Sequence, residues 1–201
     1  MLDSYMRPLI DPPLNRIGAA LARRGVHADW ITLAGLVLGL AAAAAILGGQ
    51  WLLALALILA SRLADGLDGA VARATQLSDF GGYFDIVADF VFYAAIPLAF
   101  IWCDQASNGA AGAFLLASFY VNGASFLGFA ALAEKHNLRS DRQGRKSLYF
   151  SEGLLEGTET IVFLCLLCLW PGWFVPLAWG FGALCLLTAL LRVRAAAGLF
   201  R

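Results

Sequence analysis

Asp65-Gly66-Leu67-Asp68-Gly69-Ala70-Val71-Ala72-Arg73, followed after a short gap by Gly81-Gly82-Tyr83-Phe84-Asp85-Ile86-Val87-Ala88-Asp89, sets four carboxylates inside otherwise oily sequence. On helices, Asp65 and Asp68 share one face at i, i+3 and Asp85 and Asp89 share one at i, i+4. Two neighbouring helices can therefore point all four at a common volume. A lone Asp at the centre of a membrane helix is opposed by roughly 2.5 to 3.5 kcal/mol, so four of them need a bound counter-charge. Oxygen donors with no His or Cys beside them suit a hard ion, Mg²⁺, Mn²⁺ or Ca²⁺, rather than zinc or copper. Any single one of the four can be a helix cap or a membrane-edge charge; the set as a whole outlines a cation site.

Composition makes the surroundings a membrane. The chain is 61% hydrophobic and only 14% charged, with a mean hydropathy of +0.75, well outside the range of soluble globular domains. Its formal net charge is zero, so bulk charge points to no nucleic-acid partner. Cys103, Cys165, Cys168 and Cys185 lie in or beside apolar runs. With no second pair, Cys165-x-x-Cys168 reads as packing rather than as a redox or metal site. No cleavable signal peptide is expected, because the first apolar run begins near Trp30 and continues as a full span.

Six apolar segments follow one another, about Trp30 to Leu47, Trp51 to Arg73, Phe80 to Trp102, Ala110 to Ala133, Leu154 to Trp170 and Trp173 to Val193. Each is near the length of about 20 residues that crosses a bilayer. The connections at Gly48-Gly49-Gln50, Cys103 to Gly109 and Pro171-Gly172 hold no Lys or Arg, whereas all 14 basic residues fall on the other side or in the inner half of a span. The positive-inside rule then predicts two cytoplasmic termini. Ahead of the spans, Met6, Leu9, Ile10, Leu14, Ile17 and Leu21 recur at helical spacing against Arg7, Asp11, Asn15, Arg16, Arg23 and Arg24. Pro12-Pro13 interrupts that pattern, so one or two short amphipathic helices in the headgroup plane are expected. The expected fold is an all-α integral membrane protein, six transmembrane helices over residues 28–195 preceded by an amphipathic interfacial segment over 1–27, in a single domain spanning 1–201.

In this topology the second span runs inward and the third starts back outward, so Asp65, Asp68, Asp85 and Asp89 share one depth, just below the inner headgroups and facing the cytosol. Gly66, Gly69, Gly81 and Gly82 remove side chains where the two helices meet, serving close helix packing or ligand approach. Arg73 is placed either to grip a phosphate or to anchor the inner end of its helix.

Asp65-x-x-Asp68-Gly69-x-x-Ala72-Arg73 with Gly81-x-x-x-Asp85-x-x-x-Asp89 resembles the signature of the CDP-alcohol phosphotransferase (CDP-alcohol phosphatidyltransferase) family of phospholipid-synthesising membrane enzymes, with all eight signature residues in order. Seven residues separate Arg73 from Gly81, one fewer than the family's usual minimum. The shortening falls in the turn between the second and third spans, where it rotates neither carboxylate pair. The resemblance implies a six-helix fold with an amphipathic amino-terminal segment, a homodimer, and two divalent ions, Mg²⁺ or Mn²⁺, held by Asp65, Asp68, Asp85 and Asp89. It implies that Asp89 is also the general base, and that Gly69 and Arg73 contact the cytidine diphosphate. The start of the family's first span takes part in nucleotide binding, here Asp29, Trp30, Ile31 and Thr32. The family's hydroxyl residue seven before the third aspartate is here Ser78.

The reaction so implied is attack of a small alcohol on the phosphorus next to the lipid of CDP-diacylglycerol, with release of CMP, at the cytosolic face of a bacterial cytoplasmic (inner) membrane. The reverse arrangement, a CDP-linked small alcohol as donor and diacylglycerol as acceptor, stays open. Lys135, Arg139, Arg142, Arg145 and Lys146 serve either an acceptor phosphate or plain positive-inside topology. Glu152, Glu156 and Glu159, on the other hand, repel a phosphate and attract an amine unless they pair with Arg145 or Lys146, which leans the expectation toward a neutral or amino alcohol. His27 and His136 read as interfacial. A different class, a non-enzymatic cation carrier, would place its acidic residues near the midplane and often show internal repeats. Here they cluster at one edge and no repeat is visible.

Overall fold

A computed structural model describes residues 3–136, 155 and 157–200. Among the described residues seven helices run in chain order, α1 (Asp3–Arg23), α2 (Ala28–Leu47), α3 (Trp51–Ala74), α4 (Asp79–Cys103), α5 (Gln105–Lys135), α6 (Gly157–Leu169) and α7 (Phe174–Leu199), with a 3₁₀ turn at Pro171–Trp173. No strand occurs among the described residues. Arg139, Arg142, Arg145, Lys146, Glu152 and Glu156 lie outside them.

The helices stop where the sequence supplies a stop. Gly49 adopts φ +69°, a left-handed conformation that only glycine takes without strain. It lets the backbone turn from α2 into α3 within three residues, with Gln50 N donating to Ala45 O at 2.9 Å. Gly25 does the same after α1 at φ +77°, with Val26 N donating to Leu21 O at 3.2 Å. At the opposite type of terminus, Ser78 Oγ caps α4 by accepting from Gly81 N at 2.9 Å, and Asp104 Oδ1 caps α5 by accepting from Ser107 N at 3.0 Å. Those amide contacts hold the Asp104 carboxyl below the usual carboxylate range.

Among the described residues, four stretches are long and apolar enough to cross a membrane by length and composition, Ala28–Leu47, Asp79–Cys103, Gln105–Lys135 and Pro171–Leu199, and Gly157–Leu169 is a shorter apolar helix. Leu52, Leu59, Val37, Leu190 and Val193 all face outward exposed, so the bundle presents to its surroundings the surface that a soluble protein hides. Together these features make the protein an all-helical integral membrane protein. The 24-residue α3 is also long enough, about 36 Å at 1.5 Å per residue, but carries Arg62 at its middle and Asp65, Asp68 and Arg73 in its second half.

Inside, Phe92, Ile96, Phe100, Ile58, Leu115, Leu164 and Phe174 form one continuous core. At the end of the bundle remote from the aspartates, Trp51 stacks on Phe100 with centroids 5.6 Å apart, and Phe100 on Phe174 at 5.0 Å and 7°. Trp102, Trp170 and Trp173 are exposed at that same end, where amphipathic rings favour a membrane interface.

Of the one or two amino-terminal helices expected, the structure has one, unbroken at Pro12-Pro13 and longer than expected. This α1 is a helix of 21 residues with Pro8, Pro12 and Pro13 inside it. Tertiary packing outweighs the lost hydrogen bonds, because α1 lies directly on α3. Leu14 is buried where Gly66 offers no side chain, and a Cβ on Gly66 would come within 2.8 Å of Leu14 Cδ1. One turn on, a Cβ at Gly18 would stand 2.6 Å from that of Ala70. The other face of α1 keeps Leu9, Ile10 and Ile17 exposed, as a helix lying in the headgroup plane requires.

Candidate active site

The second half of α3 and the first turns of α4 bring the signature aspartates to one end of the bundle. One oxygen each from Asp65, Asp68 and Asp85 lie within 4.8 Å of one another. Three ionised carboxylates at that separation would repel by roughly 3.5 kcal/mol per pair at an effective dielectric of about 20, a large fraction of the stability of any domain. A divalent ion removes that cost, and an all-oxygen donor set is what Mg²⁺ or Mn²⁺ prefers. The residues present therefore fit a hard cation, held by Asp65, Asp68 and Asp85.

Asp68 is the most enclosed of the three, 6% exposed, and Thr32 Oγ1 donates to its Oδ2 at 2.6 Å. Thr32 thus reaches the cluster from the first turns of α2. Gly35, one turn further, lets α3 approach closely, and Ser61 Oγ donates to the Gly35 carbonyl at 2.7 Å.

The fourth aspartate is placed differently. Asp89 Oδ1 accepts from Arg62 Nη1 at 2.5 Å, and the same nitrogen lies 3.5 Å from Asp65 Oδ1. The Arg62 side chain is 9% exposed, its guanidinium sits 4.0 Å from the Phe92 ring centroid, and Nη2 donates to Ser61 Oγ at 3.1 Å. The expected convergence of four carboxylates is thus three together and one, Asp89, bridged to them through an arginine. Charge inside an inner half-span was the only signal Arg62 gave in the sequence.

Arg73 Nη2 donates to Asn15 Oδ1 at 3.0 Å, so α1 reaches the signature as well. Gly69 lies under the Arg73 guanidinium, where a Cβ would come within 3.1 Å of Nη1. Ser78 caps α4, and Asp29 reaches the same first turn, its Oδ1 3.2 Å from where a Gly81 Cβ would stand. Ile31 is half-buried, whereas Trp30 is 68% exposed and is not drawn in with Thr32. A second polar group lies between α5 and α7. The buried Arg192 donates through Nη1 to the Asn122 carbonyl at 3.1 Å, to Asn122 Oδ1 at 2.9 Å and to Ser125 Oγ at 2.6 Å. In the sequence Arg192 is one of the 14 basic residues, with nothing in the spacing to set it apart.

A family model described as CDP-alcohol phosphatidyltransferase matches residues 25–191. The chain is 46% identical over 193 residues to inner membrane protein YnjF of Escherichia coli (strain K12), covering 96% of this chain and 94% of that one. It is 36% identical over 94 residues to an archaetidylinositol phosphate synthase of Pyrococcus horikoshii, covering 46% of this chain and 50% of the relative. Among solved structures, the phosphatidylinositol phosphate synthase of Mycobacterium tuberculosis with CDP-DAG bound superposes with a TM-score of 0.70 at 21% identity, over 90% of this chain and 92% of that one. The same enzyme in complex with manganese and citrate gives 0.68, again at 21% identity, over 90% and 87% of the two chains. At that identity the likeness is one of fold.

Proposed function

The chain belongs to the CDP-alcohol phosphatidyltransferase family, a family of phosphotransferase enzymes, and from that premise we propose that it moves a phosphatidyl group from CDP-diacylglycerol to the hydroxyl of a small alcohol, releasing CMP. The observation that carries this reading is the meeting of Asp65, Asp68 and Asp85 oxygens within 4.8 Å on the family's own spacing. A manganese complex and a CDP-DAG complex of a protein with the same fold support the same assignment.

In the proposed mechanism Asp65, Asp68, Asp85 and Asp89 would hold two divalent ions, Mg²⁺ or Mn²⁺, which when bound would neutralise diphosphate charge and stabilise the leaving oxygen. Thr32 holds Asp68 in its ligating orientation, and Arg73, Gly69, Ser78 and the Asp29–Thr32 turn flank the nucleotide. The acceptor oxygen forms a bond to the phosphorus that carries the diacylglycerol. The bond from that phosphorus to the bridging oxygen breaks, and its electron pair leaves with CMP. Asp89 takes the hydroxyl proton as general base.

Helices α2 to α7 serve as six spans with both termini cytoplasmic, in a bacterial inner membrane, which the name of the E. coli relative supports. The family resemblance adds a homodimer. For the acceptor, the acidic opening of the fifth expected span, Glu152, Glu156 and Glu159, leans the reading toward a neutral or amino alcohol. A phosphate-bearing inositol is the second reading, favoured by the activities named for the archaeal and mycobacterial relatives.

Purified protein in lipid nanodiscs with CDP-diacylglycerol, Mn²⁺ and a panel of alcohols tests the proposal by CMP release and lipid mass. Release with a neutral or amino alcohol supports it in full. Turnover with phosphate-bearing alcohols alone reverses the acceptor reading, and no release with any alcohol ends the transfer reading.

A further inference from the structure

Arg62 stands in α3, three residues before the first signature aspartate and outside the signature itself. A buried charge in a membrane protein is expensive and marks function more often than anchoring. Its guanidinium is held on three sides. Phe92 underlies it with the ring centroid 4.0 Å away, a cation–π contact that strengthens as water is excluded. Ser61 Oγ accepts from Nη2 at 3.1 Å and is itself tied to the Gly35 carbonyl. On the open side Nη1 meets Asp89 Oδ1 at 2.5 Å and Asp65 Oδ1 at 3.5 Å. Among the described residues Nε is buried with no hydrogen-bond partner, so the side chain accepts a local cost to keep Nη1 where it is.

A single nitrogen spans two carboxylates from different helices and engages one named oxygen of each. Each carboxylate carries a second oxygen, and a carboxylate can serve a cation or a proton with one while the other is held. We propose that Arg62 is a positioning residue for the transfer reaction: it grips Oδ1 of Asp89 and steadies Asp65, so that the remaining oxygen of Asp89 is presented to the acceptor hydroxyl. The inference rests on the phosphatidyl transfer proposed above. Arg62 acts through Asp89, whose Oδ1 it holds, as outer partners of ligating groups do elsewhere. Lysine cannot reproduce the arrangement in full, since a point charge lacks the planar fork that reaches Ser61 and Asp89 at once while stacking on Phe92.

Two measurements on Arg62→Gln and Arg62→Lys test this. In the nanodisc assay, KM for CDP-diacylglycerol and the Mn²⁺ titration midpoint by electron paramagnetic resonance stay within about threefold of wild type, whereas kcat falls about 10- to 100-fold in Arg62→Gln and by less in Arg62→Lys. A purely structural role would instead move KM, Mn²⁺ binding and kcat together. Independently of turnover, thermal unfolding of metal-free protein is followed for Arg62→Gln, Asp89→Asn and the double variant. A pair in contact gives a double variant whose shift departs from the sum of the two single shifts, and strictly additive shifts mean there is no coupling. A kcat in Arg62→Gln within about threefold of wild type overturns the proposal, as do additive melting shifts or the joint loss of Mn²⁺ binding and kcat in both variants. If wild type itself releases no CMP, the transfer reading fails, while the melting cycle still decides whether Arg62 holds Asp89.

Discussion

Thr32 Oγ1 donates to Asp68 Oδ2 across 2.6 Å, which fastens the first turns of α2 to the most enclosed of the clustered carboxylates. The bond crosses 36 residues of sequence and fixes which oxygen of Asp68 remains for a cation. Replacing Thr32 by Val keeps the shape and removes the donor. Mn²⁺ affinity, followed by electron paramagnetic resonance, is expected to fall about 10-fold, the lower end of the range for lost partners of ligating groups. Unchanged affinity would separate Thr32 from the metal site.

Asp89 is the candidate base. Asp89→Asn preserves volume and hydrogen-bonding capacity but cannot take a proton. Turnover is expected to drop at least ~100-fold, with CDP-diacylglycerol binding by calorimetry within a few-fold of wild type. An Asn variant with near-normal kcat would remove Asp89 from that role.

Arg73 is steadied by Asn15 from α1 at 3.0 Å. Asn15→Ala frees the guanidinium, and a hydrogen bond to a charged group is worth about 1.5 kcal/mol or more. KM for the CDP-lipid should therefore rise about 10-fold with kcat little changed. An equal loss in both would point to general disruption of α1.

Docking of α1 depends on two missing side chains. Gly18→Val places its Cβ 2.6 Å from that of Ala70, and overpacking of this kind costs about 1 to 3 kcal/mol. Limited trypsin digestion should cut at Arg16, Arg23 or Arg24 markedly faster in the variant. Equal cutting rates would show that α1 does not depend on that contact.

Chelation offers a test without mutation. Saturating EDTA should abolish CMP release and lower the melting temperature. At a free ion concentration 100 times the dissociation constant, binding contributes about 2.7 kcal/mol of stability. Recovery on adding Mn²⁺ or Mg²⁺ but not Zn²⁺ would identify the hard-ion preference set by the oxygen donors.

The helices were legible where an apolar run is bounded by residues that end helices for local reasons. The run read as Trp51 to Arg73 is Trp51–Ala74, and that read as Trp30 to Leu47 is Ala28–Leu47, since Gly49 and its neighbours close α2 wherever the rest of the chain lies. The carboxylate spacing was legible in the same way, because i, i+3 and i, i+4 fix a helix face. Side-chain direction was not. Nothing in the spacing says that Asp89 turns to Arg62 while Asp85 joins Asp65 and Asp68, because that choice is made by a partner 27 residues away. The continuity of α1 was hidden for a related reason. Pro12-Pro13 is a local signal against a helix, and the compensation comes from Gly66 and Ala70 on another element. The close contact of Asn122, Ser125 and Arg192 likewise joins positions 67 and 70 residues apart, beyond the reach of any periodicity.

The stack of Trp51, Phe100 and Phe174 has a consequence for traffic. It fills the end of the bundle away from the acids with stacked rings, so a group held by the carboxylates meets apolar side chains rather than polar ligands in that direction. Under the proposed transfer both products then depart from the end where the acids lie, the lipid into the bilayer and CMP into water.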